Sequence, residues 1–163
     1  MGDKRVRITL ITVGNIKEDY LRAAYTDYCR RLRTLAEVED IELREERITD
    51  EDNAAAVGAA LTAEGERILA RIPQGAYTVA LCVEGKQMSS EALAAHLGAA
   101  TAHSGKLCLV IGSSHGLSPA VKARADLRLS VSALTFPHQL MRVMLSEILY
   151  RSCTILAGKR YHK

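Results

Sequence analysis

The sequence predicts an α/β fold, a mainly parallel sheet flanked by helices, in a single domain spanning residues 1–163. Five short runs rich in β-branched or other apolar residues alternate along the chain with five stretches of helical character. The run Leu107–Ile111 is continuously apolar, as in a strand buried on both faces of a parallel sheet. A chain of 163 residues can bury one sizeable core, and no linker, repeat or low-complexity segment divides it.

The first third of the chain predicts two strands around one helix. Val6–Val13 alternates, is β-branched and ends at a glycine, as a strand does. Lys17–Leu35 places leucine, alanine and tyrosine side chains on one helical face. Val38–Leu43 is a second strand with acidic residues on one face, and the charged segment Arg44–Asp52 is expected to be a loop.

The middle third predicts a helix, a strand and a second helix. Asn53–Ile72 is alanine-rich and is stopped by a proline. Tyr77–Val83 is the third strand, and Glu84–Lys86 is expected to be a loop. Ser89 is suited to cap a helix that runs to about Ala102, with an acidic residue in its first turn.

The last third predicts two strands, each followed by a turn of small residues and a helix. After Leu107–Ile111, Ser118 and a proline open a short helix. The strand Leu127–Leu129 leads through Ser130–Phe136 to a long helix from Pro137 to about Leu156. Since α/β sheets bind ligands at the carboxyl ends of their strands, these two turns are candidates for a binding site.

Five stretches, in order along nearly the whole chain, carry a resemblance to a known family. They are ITLITVGNIKEDY (Ile8–Tyr20), LCVEGKQMSSE (Leu81–Glu91), VIGSSHGLSP (Val110–Pro119), LSVSALTFPHQLMRVMLSEILYR (Leu129–Arg151) and YHK (Tyr161–Lys163). The chain resembles the RlmH (YbeA-type) family of the SPOUT methyltransferase superfamily, which methylates N3 of a pseudouridine in large-subunit ribosomal RNA. It departs from that family at Ser113, where a second glycine usually follows Gly112.

The candidate cofactor is S-adenosyl-L-methionine, as the resemblance implies. Three loops converge if their strands are neighbours: Leu81–Lys86, Gly112–Gly116 and Val131–Phe136. They are poor in charge, which suits an adenosine better than a phosphate chain, although each could also be an ordinary turn. By position, the resemblance assigns the cofactor pocket to Leu81, Gly112, Val131, Ser132, Ala133, Leu134, Thr135 and Phe136. It also implies a C-terminal trefoil knot.

Two residues at the start of the last helix are the catalytic candidates. His138 and Arg142 lie four residues apart and share one helical face. N3 of a pseudouridine carries an imide proton, so a nearby base or cation would help its methylation. His138 could equally be a capping or structural residue. Arg142, set among apolar residues, needs a partner, which could be RNA phosphate or a carboxylate across a dimer interface.

The basic C-terminus supplies the other candidate substrate-binding residues. Tyr161, His162 and Lys163, together with Arg142, mix cations with a ring that can stack on a base, although the tail could also be a frayed terminus. The net charge of +3 is too small to indicate a nucleic-acid partner by itself. The last helix is apolar over more than half its circumference, which favours packing on a second subunit in a homodimer. Glu147 and Arg151 are expected to form a helix salt bridge.

Other classes of protein are disfavoured. No apolar run approaches the roughly 20 residues that span a bilayer, and no signal-peptide pattern is present, so we expect a cytoplasmic protein with no membrane partner. The four cysteines show no C-x-x-C spacing, which predicts reduced thiols and no metal site.

Residues and resemblance together predict a homodimeric, S-adenosylmethionine-dependent enzyme that methylates N3 of a pseudouridine of 23S rRNA within the ribosome. Two alternatives stay open. One is a SPOUT methyltransferase that acts on transfer RNA, and the other is a noncatalytic ribosome-binding factor.

Overall fold

The structure, a computed structural model, describes residues 5–161. Over these residues strands and helices alternate strictly. The strands are β1 (Arg7–Val13), β2 (Glu37–Leu43), β3 (Tyr77–Lys86), β4 (Lys106–Ile111) and β5 (Leu127–Leu129). The helices are α1 (Asp19–Leu32), α2 (Ala54–Arg71), α3 (Ser90–Thr101), α4 (Pro119–Arg124) and α5 (His138–Leu156). The predicted α/β fold class is confirmed.

The strands form one parallel sheet in the order β2-β1-β4-β3-β5. Strands β1 and β4 lie inside the sheet and are buried along almost their whole length, as the continuous apolar run of β4 predicts. Strand β2 lies at one edge and exposes most of its acidic residues, which discourages pairing with another chain. The carboxyl ends of β3, β4 and β5 are therefore neighbours.

The helices cover both faces of the sheet. Helices α1, α3 and α5 pack on one face, and α2 and α4 pack on the other. Helix α5 lies between α1 and α3, and none of its residues from 138 to 155 is fully exposed. Contacts within one chain therefore bury much of the apolar surface of α5 that was predicted to pack on a second subunit. Ile148, for example, packs against the core of this chain.

The predicted loop Glu84–Lys86 is wrong, because β3 continues to Lys86. The strand leaves the ladder after Leu81 and rejoins it at Lys86, since both residues pair with Leu129 of β5. Gly85 makes this return possible: a Cβ at that position would lie 2.7 Å from the carbonyl carbon of Leu129. A glycine permits such a close approach of two backbones, so a position that looks like a turn is part of the sheet.

The predicted helix starts agree with the structure to within two residues. The side chains of Asn53, Ser89 and Ser118 each accept a hydrogen bond from a backbone N–H in the first turn of α2, α3 and α4. Among residues 5–161, no helix has the length and apolarity that crossing a membrane requires. The same part of the chain contains no group of histidine, cysteine or acidic side chains placed to hold a metal ion. The C-terminal knot stays a prediction.

Candidate active site

A cavity of about 580 Å³ opens at the carboxyl ends of β3, β4 and β5. Its walls come from the excursion of β3 around Cys82–Glu84, from the turn after β4 and from the segment that joins β5 to α5. These three segments were predicted to meet if their strands were neighbours, and the strand order brings them together. The walls are mostly apolar, with serine and threonine hydroxyls among them.

Seven of the eight residues assigned to the cofactor line this cavity. They are Leu81, Gly112, Val131, Ser132, Leu134, Thr135 and Phe136. Ala133 is the exception and is exposed to solvent. It lies in a tight turn in which the Ser132 hydroxyl oxygen accepts a hydrogen bond of 3.0 Å from the backbone N–H of Leu134. This turn exposes Ala133 while its neighbours line the cavity.

The turn Gly112–Gly116 closes on itself, and its two glycines have different roles. A Cβ on Gly112 would lie 2.1 Å from the carbonyl oxygen of Gly116, so Gly112 is required for space. Gly116 has a φ of +89°, so it is required for its backbone conformation. Ser113 has no positive φ, and a serine is therefore compatible with the position where the resembled family usually has glycine.

His138 lines the cavity and also a smaller cleft beside it. The cleft lies between the start of α5 and the segment Gly14–Ile16 that follows β1, and Arg142 is on its wall. Pro137, with φ −53° and ψ 138°, is the N-cap residue, so α5 begins at His138 itself. The two predicted catalytic residues therefore share one cleft, although Arg142 does not line the larger cavity.

Arg142 is buried, with a side-chain exposure of 4%, and it has partners in its own chain. Its guanidinium lies 2.5 Å from Glu42 and 3.5 Å from Asp40, both on β2, and it stacks over the Tyr25 ring at 4.5 Å. The predicted partner was RNA phosphate or a carboxylate across a dimer interface, whereas the carboxylates that pair with Arg142 belong to its own chain. Burial works against ionisation of Glu42, but the charges and hydrogen bonds of Arg142 and Arg22 together outweigh it and hold the pKa of that carboxyl below its usual range.

Tyr161, the last described residue, packs on α5. The Tyr161 hydroxyl donates a 2.7 Å hydrogen bond to Glu147, and Arg151 lies 3.9 Å above the Tyr161 ring. The predicted salt bridge between Glu147 and Arg151 is confirmed at 2.7 Å. Burial, followed by the hydrogen bond to Glu147, raises the pKa of Tyr161 to about 12. The predicted substrate residues His162 and Lys163 lie outside the described residues.

Comparison with known sequences shows which protein family the chain belongs to. The family described as "Predicted SPOUT methyltransferase" matches residues 6–162. Ribosomal RNA large subunit methyltransferase H of Bifidobacterium adolescentis is 44% identical over 97% of this chain and 100% of its own length. The protein of the same name from Bacillus pumilus is 43% identical with the same coverage. The chain belongs to the SPOUT methyltransferase family.

Solved structures show the same fold. A probable methyltransferase from Bordetella pertussis superposes with a TM-score of 0.54 at 14% identity, covering 92% of this chain and 97% of its own. A probable methylase family protein from Haemophilus influenzae gives a TM-score of 0.51 at 13% identity, covering 96% and 70%. The chain therefore shares the fold of these two proteins.

The charged pair Lys122 and Glu84 and the nearby His115 of this SPOUT methyltransferase were not assigned to the cofactor site from the sequence. Lys122 of α4 forms an ion pair with Glu84, and both line the cavity. Lys122 holds the pKa of the Glu84 carboxyl below its usual range. His115 also lines the cavity, and its place in the predicted turn was a usable signal. No sequence pattern near Lys122 indicates that it lines the cavity, because only the packing of α4 beside β3 brings it there.

Proposed function

We propose that this chain is an S-adenosylmethionine-dependent methyltransferase that acts on N3 of a pseudouridine in 23S rRNA within the ribosome. One observation carries the proposal: a chain 44% identical to a ribosomal RNA large subunit methyltransferase H forms a ligand-sized cavity from the three predicted loops. Action on ribosomes implies a cytoplasmic location.

The cavity fits the proposed cofactor in size and in chemistry. Its volume of about 580 Å³ lies within the range of roughly 300–1,000 Å³ that ligand pockets occupy. Its apolar walls suit an adenosine, and the Lys122–Glu84 pair offers one charge of each sign to a zwitterionic amino-acid end. When bound, S-adenosylmethionine supplies an activated methyl group, so the protein must mainly orient the nucleophile and manage one proton.

His138 and Arg142 are proposed to act on the substrate from the cleft beside the cavity. His138 lines both spaces, so it can accept the N3 proton close to the proposed cofactor. Among residues 5–161, the Nε of Arg142 and the hydroxyl of Thr12 are buried atoms that find no hydrogen-bond partner, and both residues line the cleft. Buried polar atoms without partners are costly. The cleft has no free volume in this structure, so the polar edge of a nucleotide can reach these atoms only after the start of α5 and residues 14–16 move apart.

We propose a homodimer as well, with its interface close to the cavity rather than at Ile148. Leu134 and Val83 line the cavity and are 70% and 52% exposed, which is apolar surface that a second copy could cover. Sedimentation of the purified protein at the mass of a single chain would contradict this proposal.

The test of the proposed function uses ribosomes from a strain that lacks this protein. Incubation with isotopically labelled S-adenosylmethionine is expected to add one methyl group to a pseudouridine of 23S rRNA, detected by mass spectrometry of nuclease digests. Free 23S rRNA and transfer RNA serve as controls. Label in transfer RNA would favour the alternative of a SPOUT methyltransferase that acts on transfer RNA. Binding of cofactor and ribosomes without methyl transfer would favour a noncatalytic ribosome-binding factor.

Removal of Tyr161–Lys163 is expected to leave cofactor affinity nearly unchanged, because Tyr161 does not line the cavity. Methylation of ribosomes should fall at least about fivefold, since stacking of one base is worth about 1–3 kcal/mol. The matched variant Tyr161→Phe keeps the ring but loses the hydrogen bond to Glu147. Calorimetry and single-turnover methylation are the measurements, and a truncated chain with full turnover would exclude the tail from the substrate site.

A further inference from the structure

A buried carboxylate on α2 holds the turn that follows β4. Glu64 is only 3% exposed, and both of its oxygens accept hydrogen bonds. One accepts from the backbone N–H of Glu46 at 2.9 Å, and the other accepts from the hydroxyl of Ser113 at 2.9 Å. Burying a carboxylate is unfavourable unless it is hydrogen-bonded, so these contacts fix the positions of both partners.

The next residue of α2 contacts the other end of the same turn. A Cβ on Gly65 would lie 2.3 Å from the hydroxyl oxygen of Ser118, so helix and turn are in close contact there. Ser118 in turn caps α4 by accepting from the N–H of Val121 at 3.3 Å. Helix α2 therefore holds Ser113 and Ser118, and residues 114–117 between them line the cavity.

The segment after β2 is attached to the same helix. Arg67 of α2 donates to the side chain of Glu46 at 2.6 Å and to the carbonyl oxygen of Arg44 at 3.0 Å. Together with the contact from the Glu46 N–H to Glu64, these bonds join the segment, α2 and the turn in one polar network. Glu64 is the member that links the two loops.

We propose that Glu64 is a positioning residue for the cofactor cavity, acting through the hydroxyl of Ser113 to hold the turn 112–117 in its cavity-forming shape. Because Glu64 lies behind the turn and does not line the cavity, it acts on the ligand only through Ser113. A turn released from Glu64 samples other conformations, and a ligand must then order it on binding. The inference rests on the proposed function, since it takes the cavity to be the S-adenosylmethionine site.

The test compares Ser113→Ala, Glu64→Ala and their combination in two measurements on the full chain. The first is the affinity for S-adenosylmethionine by calorimetry. The second is backbone amide hydrogen exchange over residues 112–117 without ligand. Each single variant is expected to weaken affinity about tenfold, as for loss of a hydrogen bond to a charged group, and to speed local exchange. The double variant should be no weaker than Glu64→Ala alone, because the two residues act through one contact.

Two further variants separate positioning from general destabilisation. Glu64→Gln should recover most of the affinity, since its amide oxygen can accept from the N–H of Glu46 and its NH₂ can donate to Ser113. Ser89→Ala removes the cap of α3 at a residue that does not line the cavity, and it should lower the melting temperature without changing affinity or exchange in the turn.

The outcomes are distinct. Unchanged affinity and exchange in Ser113→Ala, or additive losses in the double variant, would overturn the positioning role. If the unmodified chain fails to bind S-adenosylmethionine, the proposed cofactor site is wrong. Hydrogen exchange still tests, without the cofactor, whether Glu64 restrains the turn 112–117. Faster exchange in Ser113→Ala supports that restraint, and unchanged exchange overturns it.

Discussion

Replacing Gly112 with alanine is expected to abolish S-adenosylmethionine binding while the chain stays folded. The new Cβ would lie 2.1 Å from the carbonyl oxygen of Gly116 and 2.5 Å from its carbonyl carbon. These are backbone atoms of the same turn, so the turn must open to admit the methyl group. Overpacking of this kind costs about 3 kcal/mol, which corresponds to a loss of about 100-fold in affinity if the strain falls on the binding conformation. Valine should be worse, for the same reason.

The matched control is Gly58→Ala in α2. A Cβ there meets nothing within 4 Å, so alanine should raise stability by roughly 0.5–1 kcal/mol and leave affinity unchanged. Titration calorimetry measures the affinity, and circular dichroism checks that both variants are folded. An unchanged affinity in Gly112→Ala would remove this turn from the proposed cofactor site. A chain that fails to fold would show instead that the turn is needed for the structure as a whole.

Local sequence pattern was sufficient to predict most of the fold. The continuous apolar run of β4 and the caps Ser89 and Ser118 are signals within a few residues, and the structure has the predicted elements at these places. Glu84–Lys86 was mistaken for a loop because a glycine next to charged residues is typical of turns. Only the approach of β5 shows that Gly85 is a point where two backbones meet.

In the candidate site, too, features set by nearby residues could be predicted from the sequence, and contacts between distant residues could not. The three loops that line the cavity follow predicted strands, so the chain pattern locates them. The partners of Arg142 and Ser113 are about a hundred and about fifty residues away in the chain. Nothing near Asp40 or Glu64 distinguishes them from other acidic residues of a charged chain, and their roles depend on which face of the sheet each helix covers.

Replacing Arg142 with methionine is expected to destabilise the chain and to abolish methylation, and the two effects can be separated. Methionine keeps the length of the side chain but leaves Glu42 and Asp40 without their central cation. Breaking a fully buried ion pair costs about 3–5 kcal/mol, and we expect about 2–3 kcal/mol here, because both carboxylates reach solvent. Arg22 also remains on Glu42, at 3.1 Å. Lysine should retain part of the stability, because it keeps the charge without the planar fork.

The stability loss should depend on pH with a definite sign. The pKa of Glu42 is lowered in the folded chain, so its pairing stabilises the fold above the unfolded carboxyl pKa and is lost as the pH falls through the folded value. The difference in unfolding free energy between the unmodified chain and Arg142→Met should therefore be largest near neutral pH and should shrink below about pH 4. Urea titrations between pH 3 and 7 provide the measurement. A difference that stays constant would mean that lost packing, rather than lost charge, explains the variant.

The decisive variant is Arg142→Met combined with Glu42→Gln. The neutral amide no longer needs a cation, so the double variant should regain much of the stability that the single variant loses. If Arg142 acts on the substrate, methylation of ribosomes stays abolished in this stabilised chain while S-adenosylmethionine still binds, because Arg142 does not line the cavity. If methylation returns with stability, Arg142 serves only to hold α5 against β2, and His138 is left as the proposed group that handles the N3 proton.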